Sequence, residues 1–128
     1  MLKKSNLESI DFNALYIEQK ENTTFTPKDE KSWDKKAHGI NERVYKSYYN
    51  DTILSKIALL PSDTLMDMGC GVGNLSIPFA KQCYHVHSVD FSANMLSYLT
   101  EHQDKEQLQN ITTHKCSWYD SWDNIPKV

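Results

Sequence analysis

Asp67-Met68-Gly69-Cys70-Gly71-Val72-Gly73-Asn74 decides the fold of this 128-residue chain. Glycine is scarce, at four residues, and Gly69, Gly71 and Gly73 all fall within this one stretch. Before it, Thr64-Leu65-Met66-Asp67-Met68 is a short, mostly apolar run that reads as a buried parallel strand. After it, Leu75 to about Gln82 reads as a helix capped by Asn74, with Pro78 close enough to the first turn to be tolerated. Glycines suit such a turn for two reasons: the backbone must reverse sharply, and a ligand must approach main-chain N–H groups that a Cβ would screen.

Downstream, His85–Val89 reads as a second strand and Ser92 as the cap of a helix from Ala93 to about Asp104. Met95, Leu96 and Leu99 form that helix's inner face, and Ile111–Lys115 follows as a third strand. Strand, helix, strand, helix, strand spells a doubly wound α/β unit with right-handed crossovers. Upstream, Ile40, Val44 and Tyr48 recur every four residues, as on one face of an amphipathic helix. A break with an N-cap is expected at Asn50-Asp51, and Ile53, Ile57 and Leu60 continue as a helix closed by Pro61. Residues 1–36 are polar and weakly periodic, with Leu7, Ile10, Leu15 and Ile17 as anchors. They read as a short helix and a loop through Thr23–Lys31.

The glycine spacing also selects a ligand. Asn74 stands where a G-x-G-x-x-G dinucleotide fingerprint would place its third glycine. Asp67, two residues before the first glycine, would repel a pyrophosphate and attract a cationic amino group or sulfonium. That profile describes S-adenosylmethionine better than a nicotinamide dinucleotide. Asp90 ends the second strand, where a carboxylate beside the turn can accept both ribose hydroxyls. Phe91 is placed to lie against an adenine face. Ser117 and Trp118, after the third strand, form the remaining wall.

These residues resemble the class I S-adenosylmethionine-dependent methyltransferases. The family's acid-x-Gly-x-Gly-x-Gly motif is matched by Asp67, Gly69, Gly71 and Gly73. Its ribose-binding acid is matched by Asp90 in Ser88-Val89-Asp90-Phe91-Ser92. Ser32-Trp33-Asp34-Lys35-Lys36-Ala37 resembles the segment that precedes the fold in many members. The resemblance covers roughly residues 32–128 and implies a Rossmann-like three-layer α/β sandwich with strand order 3-2-1 and N-terminal helices. It divides the chain into an extension, 1–36, and the N-terminal part of a methyltransferase domain, 37–128. It also implies that Asp67 with the backbone of Gly69, Cys70 and Gly71 holds the methionine end. Asp90 would hold the ribose, and Phe91, Ser117 and Trp118 would border the adenine. Where many members place an Asp or Asn after the third strand, Ser117 stands. Family domains generally have seven strands, and this chain stops as a fourth would begin, so it reads as a truncated domain with no catalytic residue assigned and an unknown methyl acceptor. Strand 1 is then an open edge, through which a homodimer is expected.

Composition narrows the alternatives. Fourteen basic and 17 acidic side chains give a net charge of −3, and the seven Lys and seven Asp or Glu of residues 1–36 are interspersed. That argues against nucleic-acid binding. Apolar runs such as Ile57-Ala58-Leu59-Leu60 fall far short of the roughly 20 residues that span a bilayer. The N-terminus lacks the apolar segment of a signal peptide. Cys70, Cys83 and Cys116 form no C-x-x-C pair, which speaks against a disulfide framework or zinc site and for a reduced cytoplasmic setting. Two other readings stand beside the methyltransferase. One is a non-catalytic module binding S-adenosylmethionine or a nucleoside, or serving interaction; the other is a nicotinamide-dependent oxidoreductase fragment.

Other residues read more plainly. Cys70 is a small side chain tolerated in the turn. His85 and His87 share a strand face but have no third metal ligand at a sensible spacing. His38, His102 and His114 read as surface or packing residues. Trp118-Tyr119-Asp120-Ser121-Trp122 is either an adenine wall or an apolar cover for the sheet. Trp33 and Tyr48 either pack among the first helices or lid the cofactor.

Overall fold

The computed structural model describes residues 11–22 and 29–128. The anchors Leu7 and Ile10 and most of the expected loop through Thr23–Lys31 lie outside the described residues. In chain order the elements are α1 (Phe12–Glu21), α2 (Glu30–Val44), α3 (Tyr48–Lys56), β1 (Thr64–Met68), α4 (Ser76–Ala80), β2 (His85–Asp90), α5 (Ala93–Lys105) and β3 (Ile111–Lys115). The three strands form one parallel sheet in the order β1-β2-β3, which is the expected 3-2-1 order; both crossover helices pack on one face, so these strands are wound in one direction. Met68 pairs with Val89 and Asp90 with Lys115, so the strands end together and present their C-terminal ends on one side.

Alternation along each strand divides the sheet into two faces. Leu65, Val86 and Ile111 point to the side on which α4 and α5 pack, meeting Ile77, Phe79, Ala80, Leu96 and Leu99 in one core. Burying side chains of this size contributes about 1.5–3 kcal/mol each. Leu99 sits at the centre with no exposed surface. It lies so close to the glycine turn that a Cβ at Gly73 would come within 2.7 Å of its Cγ. That separation holds α5 against the turn.

The N-terminal helices are part of this unit. Trp33, Ala37, Ile40 and Val44 repeat at i, i+4, i+7 and i+11, one stripe of α2, and they pack with Val72 and Met95. The boundary expected after residue 36 therefore falls inside a continuous helix, one residue before the fully buried Ala37. Asp29 caps that helix by accepting from Ser32 N.

The expected break at Asn50-Asp51 lies earlier. Ser47 is the N-cap of α3, and Asn50 sits within it. Asn50 turns inward, donating from Nδ2 to Val44 O at 2.6 Å and accepting from Asn74 Nδ2 at 2.8 Å. Asn74 is thereby used to tie the turn to α3, and α4 begins after Leu75 with no side-chain cap. Where a fourth strand was expected to begin, residues 126–128 form no strand.

The opposite face of the sheet carries a row of imidazoles. His87 Nδ1 lies 3.0 Å from His114 Nε2, and the rings of His85 and His87 are 4.7 Å apart. His85 Nε2 lies 2.8 Å from Thr112 Oγ1. Partial burial, followed by the neighbouring histidines, holds the His87 pKa below its ordinary value; burial and then His85 do the same at His114. An unfolded chain takes up protons on these rings near pH 6.5, before the folded chain does. Stability is therefore full above that pH and falls as the pH drops below it.

Thermal unfolding followed by circular dichroism should give a lower Tm at pH 5.5 than at pH 7.5, with a smaller difference in His87→Gln. An unchanged pH dependence in that variant would remove the histidine row from the explanation.

A second expectation concerns the turn. Gly73 has φ +84°, so Gly73→Ala combines a strained backbone with the clash against Leu99 and should cost about 2–4 kcal/mol in urea denaturation. Gly39 has open space around it, and Gly39→Ala should instead stabilise α2 by about 0.5–1 kcal/mol.

Candidate functional site

The site begins where β1 ends. Gly69 N and Cys70 N both donate to the carbonyl of Val89, at 2.8 and 2.9 Å, which pulls the turn against the end of β2. To double back there, Gly69 and Gly71 adopt φ of +69° and +55°, a region that L residues with a Cβ rarely enter. Space is open where a Cβ at Gly69 would project.

Asp90 is held from two directions. Gly71 N donates to its Oδ2 at 2.8 Å and Ser92 N to its Oδ1 at 2.9 Å. A carboxylate offers about four acceptor positions, so each oxygen keeps a free lone pair after these bonds. The side chain is thus fixed in orientation and still able to accept from two neighbouring hydroxyls.

These groups open onto a cavity of about 660 Å³. Met68, Gly69, Gly71 and Val89 line it from the strand ends, Asp90 and Phe91 follow β2, and Met95 comes from α5. Beyond β3 come Cys116, Ser117, Trp118, Tyr119 and Trp122, and Tyr16, Asp29, Trp33 and Ile40 come from the N-terminal segment. Six of the eight residues singled out from the sequence therefore line one cavity: Gly69, Gly71, Asp90, Phe91, Ser117 and Trp118. Asp67 and Cys70 stand outside its lining.

The reason is alternation. Asp67 shares a face with Leu65, so its carboxylate turns toward α4, where Oδ2 accepts from Ser76 Oγ at 2.6 Å. Ser76 Oγ lies 2.7 Å from Ser88 Oγ, which extends the network under the sheet. Burial raises the Asp67 pKa, the Ser76 bond opposes that, and the Asp90 charge adds to it. Cys70 is 4% exposed. Burial first, and then the Asp67 and Asp90 charges, push its thiol far up, out of reach of nucleophilic chemistry.

The segment after β3 closes on itself. Asp120 Oδ2 accepts from Ser117 N at 2.8 Å, and Ser117 Oγ accepts from Tyr119 N at 3.1 Å. That small turn leaves Trp118 66% exposed, its ring centroid 5.4 Å from that of Trp122, while Tyr119 stacks with Tyr16 at 6.5 Å. Of residues 118–122, Trp118, Tyr119 and Trp122 line the cavity. Trp33 also lines the cavity, whereas Tyr48 is 87% exposed.

Sequence reasoning missed Tyr16, Asp29, Ile40, Met68, Val89, Met95 and Cys116 as lining residues, and left Tyr119 and Trp122 between an adenine wall and a cover for the sheet. The i, i+7 spacing of Trp33 and Ile40 was the available signal for α2. His114, read as isolated, joins His85 and His87 through strand pairing. Among the described residues no group of three or more His, Cys, Asp or Glu is arranged to hold a metal ion. No described helix is long and apolar enough to cross a membrane.

Ser76→Ala removes the hydroxyl that Asp67 relies on and should destabilise the fold by about 1–3 kcal/mol in chemical denaturation. In the double variant Ser76→Ala/Asp67→Asn the loss should be smaller, because the buried charge has gone. Equal losses in both would contradict this account.

The chain is similar to several known proteins. Residues 65–125 match a family model described as "Methyltransferase domain". An uncharacterized protein of Haemophilus influenzae is 35% identical over 98 residues, covering 75% of this chain and 37% of that protein. A Methanococcus vannielii protein named "Probable cobalt-precorrin-6B C(15)-methyltransferase (decarboxylating)" is 30% identical over 61 residues, 48% of this chain and 34% of that one. Among solved structures, phosphoethanolamine N-methyltransferase 1 of Haemonchus contortus, in complex with phosphoethanolamine and S-adenosylhomocysteine, shares the fold. It aligns with a TM-score of 0.54 at 17% identity, over 69% of this chain and 21% of that one. The chain thus spans only about a third of the length of these two curated relatives.

Proposed function

We propose, for a chain that carries a class I S-adenosylmethionine-dependent methyltransferase domain, that the 660 Å³ cavity is its S-adenosylmethionine site. The observation that carries this reading is Asp90. Its carboxylate is clamped by Gly71 N and Ser92 N, keeps a free lone pair on each oxygen, and lies at the end of β2 beside the glycine turn. A vicinal ribose diol is the complement of that arrangement.

The remaining walls fit the rest of the cofactor. Phe91 and Trp118 offer aromatic faces to adenine, and Ser117 borders it. The open space at Gly69 leaves room for the amino acid end against the backbone. Asp67 and Cys70 serve from behind, Asp67 by anchoring α4 to β1 and Cys70 by filling the turn. When bound, the cofactor supplies a methyl group on a sulfonium. The chain's residues bind and orient it; the aromatic rim around Trp118 and Trp122 restricts water. The methyl acceptor, and any group that takes its proton, are not assigned to residues of this chain.

The same reading includes a cytoplasmic setting, supported by three buried free cysteines. It includes a homodimer through β1, supported by the position of that strand at the edge of the sheet.

Isothermal titration with S-adenosylhomocysteine tests the cofactor assignment. Binding should be weakened about tenfold or more by Asp90→Ala, equivalent to about 1.4 kcal/mol. Absence of binding by the folded chain, or equal binding by Asp90→Ala, would overturn it.

A further inference from the structure

Asp34, on α2, does not line the cavity, yet it sits two hydrogen bonds behind it. Its Oδ1 accepts from Ser92 Oγ at 2.5 Å and from Asn94 N at 3.3 Å. Asn94 Nδ2 in turn donates to the Asp34 carbonyl at 3.4 Å. Ser92 is fully buried, and its own N–H donates to Asp90 Oδ1 at 2.9 Å. A chain of bonds therefore runs from the N-terminal helix through Ser92 to the carboxylate that faces the cavity.

The chemistry of the serine makes this chain directional. A hydroxyl has one proton to give. Ser92 gives it to Asp34, in a short bond of the charge-assisted kind, while its oxygen accepts from Met95 N at 3.2 Å as the cap of α5. Without Asp34 the buried proton needs another acceptor, and the adjacent carboxylate is Asp90. A Ser92 hydroxyl turned that way would occupy a lone pair that the diol otherwise uses.

We propose that Asp34 is a positioning residue for cofactor binding. It keeps the Ser92 hydroxyl away from Asp90, so that the Asp34–Ser92 bond and capture of the ribose are coupled. This rests on the cofactor reading above. Coupling of that kind is reciprocal: ligand on Asp90 strengthens the Asp34–Ser92 bond, and loss of that bond weakens the site.

The test is a double-mutant cycle read by isothermal titration with S-adenosylhomocysteine on the full chain. Asp34→Ala should weaken binding about tenfold in the wild-type background and less than twofold in the Asp90→Ala background, a coupling of about 1–1.4 kcal/mol. Asp34→Asn keeps an oxygen that accepts from Ser92 and should stay within threefold of wild type. It also provides the test if Asp34→Ala fails to fold. Glu30→Gln serves as the docking control. It breaks the 2.8 Å ion pair between Glu30 Oε1 and Lys115 Nζ, which also pins α2, and should change affinity less than twofold. Equal losses for Asp34→Ala in both backgrounds would overturn the proposal, as would a Glu30→Gln loss as large as that of Asp34→Ala. A wild-type chain that binds no S-adenosylhomocysteine would fail at the earlier step, the cofactor assignment, and take this proposal with it.

Discussion

One carbonyl oxygen organises the site. The Val89 C=O accepts from both Gly69 N and Cys70 N, and that shared bond brings the turn after β1 onto the end of β2. A buried acceptor with two lone pairs is fully used by two donors, so the junction is satisfied without water. Once the turn is held there, the next amide, Gly71 N, meets Asp90 Oδ2. The following residue, Val72, is carried under α2, where its carbonyl accepts from the Tyr45 hydroxyl at 2.7 Å. The positive φ of three glycines is the conformational cost of this path, and it allows α5 to rest its central leucine against the turn.

Much of the fold could be read because short-range physics decides it. β1, β3 and the Ser92 cap lie where periodicity and cap chemistry put them. The end of β2 differs by one residue, as frayed ends do. The stripe expected to run through Ile40, Val44 and Tyr48 is cut after Val44, Tyr48 opens α3, and α3 ends at Lys56, short of Ile57 and Leu60. The Asn50 break was misplaced because Asn is a strong turn signal when its partners are unknown. Its real partners, Val44 O and Asn74, sit 6 and 24 residues away in the chain. No local pattern reports the second of these.

The site was legible in part for the same reason. Residues at strand ends and in the glycine turn could be placed from topology alone. Asp67 was assigned to the ligand from its charge and from the family resemblance, although alternation with Leu65 already put its side chain on the helix-facing side of β1. The aromatic wall after β3 could be seen as a cluster but not oriented, because its direction depends on the Ser117–Asp120 turn. The N-terminal contributors were the hardest to foresee. Tyr16, Asp29 and Trp33 reach the cavity only through tertiary packing of a polar segment with weak periodicity.

Sequence separation sets an order on how such a molecule assembles. Each parallel pair joins residues 21 to 25 positions apart, as in Thr64 with His85 and Val86 with Ile111. The bonds from α2 to α5 bridge 58 to 61 positions, as at Asp34 with Ser92 and Asn41 with His102. Closing the longer loop costs more chain entropy, though only slowly more with length, and it gains little until α5 is already in place to receive α2. The strands and their crossover helices therefore form first, and α2 docks onto a finished surface. Since α2 supplies a wall of the cavity, the pocket is the last part of the molecule to exist on folding and the first to be lost on partial unfolding. Loss of ligand binding would thus precede loss of the sheet as conditions become harsher.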